Sequence, residues 1–143
     1  MPPPDSSLID AALLARLSGD AALMALCTDG VYVDEAKQNA TKFVLVSLVD
    51  QTDESVYVLG RAIESALYLI KAVMVGAGNV QVSQAAARID ALLEDQPLTV
   101  AGYTGMSLYR ESRLRLTEVD EVNPSIRWQH WGGHYRVEMS VGS

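Results

Sequence analysis

The chain has 143 residues, enough for one domain with one real core, and its 49% apolar content argues against a disordered chain. A formal charge of −7 excludes general adhesion to nucleic-acid phosphates. The single cysteine, Cys27, excludes an intrachain disulfide and a cysteine-rich zinc site, and it reads as a small packed hydrophobe. No basic segment precedes the first apolar residues, and Arg61, Glu64 and Lys71 interrupt the longest apolar run, Ala62 to Val75. The expectation is a soluble protein, made inside the cell, with no membrane span.

In chain order, the first six residues read as a flexible lead-in, and Asp5, Ser6 or Ser7 offers an N-cap. The helix that follows carries Leu8, Ile9, Ala12, Leu13 and Leu17 on one side. Ser18-Gly19-Asp20 breaks it, and Asp20 caps a short second helix, Ala21 to Cys27. A turn at Thr28-Asp29-Gly30 leads to a short strand, Val31 to Val33, and a polar loop, Asp34 to Thr41. Phe43 to Val49 is the clearest strand, β-branched and apolar on both faces, so it is covered on both sides. Asp50 to Glu54 reads as an acidic connector, from which the chain returns as a long hairpin.

Ala62 to Val75 fits two periods. Ile63, Ala66, Leu67, Ile70, Val73 and Met74 suit a helix, whereas alternation suits a strand buried on both faces; periodicity alone favours the helix slightly. Val80 to Tyr103 is the organising stretch: Val82, Ala85, Ala86, Ile89, Leu92 and Leu93 recur at helical spacing, with Asn79 or Ser83 as cap. Asp95-Gln96-Pro97 ends that helix because proline cannot donate to the helical ladder. A short strand, Leu98 to Val100, and a turn at Ala101-Gly102 follow. Met106 to Val119 then sets Leu108, Leu114 and Leu116 on one face, with Tyr109, Glu111, Arg113 and Arg115 on the other. In the last strand Ile126 and Trp128 have one parity and Tyr135, Val137 and Met139 the opposite one, which predicts a bulge at Gly132-Gly133. The pattern is that of an α+β domain spanning 1–143, a mostly antiparallel sheet flanked by helices.

Catalytic signals are sparse. His130 and His134 lack a third ligand at recognisable spacing and read as exposed strand histidines. Gly76-Ala77-Gly78 lacks the lysine of a phosphate loop, and Asp50, Asp53 and Glu54 lack the alternating oxygens and glycine of a calcium loop. No metal or cofactor is implied. Arg110, Arg113 and Arg115 beside Trp128, Trp131 and Tyr135 have the residue types enriched at protein interfaces. The plainer reading is that the aromatics fill the core and the charges are solvated.

Several stretches resemble the tail-completion or tail-terminator proteins of tailed phages and of phage-like particles such as gene transfer agents. They are LARLSGDAALMALC, FVLVSLVDQTDES, ALYLIKAVMVG, AAARIDALLEDQPLTVAGY, SLYRESRLRLTEVDEV and RWQHWGGHYRVEM, spanning about Leu8 to Val141. The resemblance implies a strand at Ala62 to Val75 and a structural, non-enzymatic role in the tail or neck of a virion-type particle, assembled in the host cytoplasm. It implies a hexameric ring that ends tail-tube polymerisation and joins tail to neck proteins, with DNA crossing the lumen unbound. The expected subunit contact sets Arg110, Arg113 and Arg115, with Trp128 and Trp131, against Asp50, Asp53 and Glu54. Gln51, Thr52 and Ser55, on the connector Asp50 to Gly60, are the expected contacts with tube or lumen. The alternatives are another neck or tube ring protein, or a monomeric α+β enzyme or ligand-binding domain using the two histidines and the acidic loop.

Overall fold

The structure, a computed structural model, describes residues 7–56, 61–76 and 80–141. Helix α1 (Ser7–Ser18) buries Ile9, Leu13 and Leu17, which lie one turn apart on a single stripe. Asp20 caps α2 (Ala21–Leu26) by accepting the Leu23 N–H at 2.9 Å, which satisfies one of the donors orphaned at a helix start. The same carboxylate holds Arg88 of α3 (Val80–Leu93) at 2.6 and 2.8 Å, tying two helices together. Ser83 is not the α3 cap; its hydroxyl donates to the Val80 carbonyl inside the first turn, and Asn79 lies outside the described residues.

The five strands are β1 (Val31–Val33), β2 (Lys42–Val56), β3 (Arg61–Val75), β4 (Tyr103–Val119) and β5 (Arg127–Val141). They form one sheet in the order β1-β2-β3-β5-β4, antiparallel throughout except for the parallel β1–β2 pair. The three helices cover one face. Ile9, Leu13, Leu17, Leu23, Val82, Ala85, Ile89 and Leu93 share a core with Val44, Val46, Ala66, Tyr68, Ile70, Tyr135 and Val137. On the other face Phe43, Val73 and Ala40 form a smaller cluster, against which Tyr32, Leu45 and Trp128 pack.

Ala62 to Val75 is a strand. Ala66, Tyr68, Ile70 and Ala72 are buried toward the helices, while Leu67 and Leu69 are half-buried on the open face. Three expectations are corrected. Asp50 to Glu54 is not a connector: β2 runs on to Val56, paired from Asp50↔Leu67 to Val56↔Arg61. A bulge between Leu48 and Asp50 absorbs one residue, after which the polar residues continue the ladder supplied by β3. Residues 57–60 of the expected connector lie outside the described residues. Leu98 to Val100 is not a strand; it has no partner strand, yet Leu98 and Val100 are buried at the edge of the core.

The bulge expected at Gly132-Gly133 is also absent. β5 keeps unbroken register with β3 from Trp128↔Val75 to Ser140↔Ile63, so the two parities are simply the two faces of one strand. The irregularities fall in β4 instead, between Tyr103 and Gly105 and between Arg110 and Ser112. The glycines answer a close approach: a Cβ at Gly132 would lie 2.1 Å from the Ile70 carbonyl oxygen. One positive-φ glycine is required by a turn, Gly102 (φ +90) before β4.

Candidate subunit interface

β4 is an edge strand, paired with β5 on one side and with nothing on the other among the described residues. Alternation alone would place Arg110 on one face and Arg113 and Arg115 on the opposite one. The bulge prevents this. Arg110 stands opposite Tyr135 and Ser112 opposite His134, which leaves Glu111 as the extra residue. Beyond it the parity is reversed, so Arg113 stands opposite Gly133 and Arg115 opposite Trp131, on the helix-covered face with Arg110. The expected face that grouped Tyr109 and Glu111 with Arg113 and Arg115 is therefore corrected. Glu111 holds the bulge from the other side, accepting from Arg136 at 2.6 and 3.3 Å, while Arg136 also donates to Ser65.

The three arginines line one wall of a groove of about 530 Å³ beneath β4. Ser83, Ala86, Ala87 and Asp90 of α3 form the opposite wall, at helical spacing that puts small residues on one stripe. Their charges are committed unequally. Arg110 donates to Asp90 at 2.5 Å, and Tyr135 donates its hydroxyl to the same oxygen at 2.9 Å. The Arg110 backbone N–H also reaches the Glu94 carboxylate. The Asp90 hydrogen bond raises the Arg110 pKa, and burial raises that of Tyr135, so both stay protonated at neutral pH. Arg115 lays its guanidinium over the Trp131 ring, 4.3 Å from the centroid. Neither Arg113 nor Arg115 has an ion-pair partner among the described residues, and the Trp131 indole N–H is buried without an acceptor.

The remaining candidates lie elsewhere. Trp128 is on the open face and donates to Asp120 at 3.3 Å, so the two tryptophans do not share a surface. Asp50 is exposed opposite Leu67, and Gln51 donates to the buried Glu64 at 3.3 Å. Thr52, Asp53, Glu54 and Ser55 hold the register positions opposite Ser65, Glu64, Ile63 and Ala62. β3 and β5 separate β2 from β4 by about 14 Å across the sheet, and Asp53 and Arg113 are further offset by about 20 Å along the strands. Sequence reading missed Asp90, Glu94 and the small stripe of α3; only the bulge, which has no local signal, turns β4 onto them.

The histidines sit on the open face. His130 is buried rather than exposed; its Nε2 is 3.2 Å from Glu118, and burial, then Lys71, hold its pKa down. His134 Nδ1 lies 2.9 Å from the Ser112 hydroxyl. Among the described residues no three His, Cys, Asp or Glu side chains are grouped to hold a metal ion, and no helix is long and apolar enough to cross a membrane.

Comparison with known proteins bears on this geometry. The family described as Tail completion protein gp17 matches residues 11–136. A solved chain from "Virion of native gene transfer agent (GTA) particle" has the same fold, with a TM-score of 0.64 at 23% identity over 94% of this chain and 96% of that one. A search of curated proteins finds no match.

Proposed function

Since the chain belongs to the tail completion protein gp17 family, structural proteins of phage tails, we propose that it acts as a ring at the head-proximal end of a tail tube. The ring, of six chains, ends tube polymerisation, joins the tail to neck proteins in a phage or phage-like particle, and passes DNA through its lumen. Its role is architectural rather than catalytic. The observation that carries this reading is the pair of unlike open strand edges on one sheet. Among the described residues β4 is unpaired along one side, and β1 covers only Val44 to Val46 of β2. Unlike edges support a head-to-tail contact between copies, and such contacts close into rings when the rotation permits.

Arg110, Arg113 and Arg115, with Trp131, form one side of that contact, and the acidic strand of the next copy forms the other, with Asp53 on the arginines' face and Asp50 and Glu54 at register positions on the open face. Trp128, on the open face, packs at the periphery. Gln51, Thr52 and Ser55, toward the end of the hairpin, meet the tube or line the lumen. The −7 charge suits a channel through which DNA slides without adhering. Light scattering over a concentration series, with negative-stain images, tests the ring with and without purified tail tubes. A six-chain species with a central hole, or tube ends capped by the protein, is the expected result. A chain that stays monomeric and leaves tube ends bare overturns the reading.

A further inference from the structure

We propose that the groove beneath β4 is a carboxylate socket, filled when the far half of β2 from a second copy adds to the open β4 edge as an antiparallel strand. This rests on the ring reading and names the contact that would close it. Strand direction comes first. β2, β3, β5 and β4 follow one another through three antiparallel steps, so β2 and β4 run in opposite directions. A neighbour set alongside in the same orientation presents its β2 antiparallel to β4, and the sheet continues without reversal. The open part of β2 from Asp50 to Val56 spans about 20 Å, long enough for a real ladder.

Charge selects the mate. Arg113 and Arg115 share one face two residues apart, about 7 Å along the strand. Each guanidinium offers five N–H groups, and stacking on Trp131 fixes one of the two in place. Two cations on an open edge discourage indiscriminate pairing and favour an acidic strand. This chain carries one, Asp50 to Glu54, that its own fold keeps away from the arginines. Asp53 has the register position opposite Glu64, whose side chain is on the helix-covered face, and is level with Met106 of β4; a neighbour shifted along the strands by about 20 Å sets that position opposite Arg113 on the groove side. A nucleic-acid phosphate is disfavoured by the Asp90 and Glu94 carboxylates beside the arginines and by the net charge.

The test is a charge swap read as ring mass against concentration, on the full chain and with tail tubes added. Arg113→Glu alone and Asp53→Lys alone are each expected to raise the ring's dissociation constant by at least about tenfold. The two together are expected to bring it back to within about threefold of the parent, because every contact then carries the inverted pair. Circular dichroism checks that each variant stays folded; Arg113 is exposed and has no ion-pair partner among the described residues. Rings unchanged in both single variants overturn the socket and leave the ring reading standing. Single losses without rescue overturn β2 as the occupant. A parent chain that never assembles, even on tubes, overturns the ring reading itself.

Discussion

Replacing Gly132 by alanine tests whether the β3–β5 packing rests on close backbone approach. A Cβ there would meet the Ile70 carbonyl oxygen at 2.1 Å, the Lys71 Cα at 2.5 Å and the Lys71 Cβ at 2.8 Å. The two nearest atoms are backbone of a central strand, which cannot rotate aside as a side-chain end can. The strands must part by about 1 Å to restore ordinary contact, with an overpacking cost of about 1–3 kcal/mol. Misaligned ladder hydrogen bonds add about 1 kcal/mol each, and the stiffer unfolded chain returns about 0.4–1 kcal/mol. The net loss is about 2–3 kcal/mol. For 143 residues the unfolding entropy is about 0.3 kcal/mol/K, so Tm falls by about 7–10 °C. Thermal unfolding followed by circular dichroism reads this directly. Gly30→Ala is the control, with open space at its Cβ but φ +96, and loses about 3 °C for about 1 kcal/mol of backbone strain. A Gly132→Ala variant melting within 2 °C of the parent would refute the reasoning.

Ile89→Ala removes a fully buried side chain where α3 meets the sheet and should cost about 2–5 kcal/mol in urea unfolding, with the denaturant slope unchanged. Asp20 is held down to about 2 by Arg88 and the Leu23 N–H. A folded pKa below the unfolded value gives stability that is present above about pH 4 and lost as pH falls toward 2. Asp20→Asn should therefore flatten that acid limb, and an unchanged limb in pH-dependent melts would count against the cap. Burial pushes the Cys27 thiol up to about 12, so a maleimide at pH 8 should label it only after unfolding. Native-state labelling within minutes, seen by mass spectrometry, would place the thiol at the surface.

How legible each element was depended on how local its cause was. The stripes Ile9-Leu13-Leu17 and Val82-Ala85-Ile89-Leu93 are set by one helical period and read directly from the sequence. The Asp20 cap needed only the three residues that follow it. Ala62 to Val75 was ambiguous for a physical reason. Its inner face is buried by helices and its outer face half-buried, so apolar residues occupy both parities and satisfy a period of 3.6 as readily as one of 2. Asp50 to Glu54 has no apolar residue to mark a period of two, so composition alone cannot tell a paired strand from a turn. The two glycines in β5 signalled irregularity, but the cause was the neighbouring strands and not β5 itself.

The groove depends on a relation no single segment contains. One extra residue, Glu111, decides whether Arg113 and Arg115 face α3 or the open side of the sheet. Its carboxylate, anchored by Arg136, which in turn donates to Ser65 of β3, fixes the bulge through contacts on the face away from the groove. On the groove side the Arg110 side chain and backbone N–H are bound by Asp90 and Glu94 of α3, so the strand is pinned on both faces at the point where its parity reverses. Beyond that point Arg113 and Arg115 are left without an ion-pair partner among the described residues, along an edge whose backbone groups are equally unpaired. Order at the bulge and unused bonding capacity just past it are compatible with the proposed contact between copies. In the proposed ring contact Arg115, stacked on Trp131, would be positioned before the partner arrives, and less conformational entropy would be lost when it does.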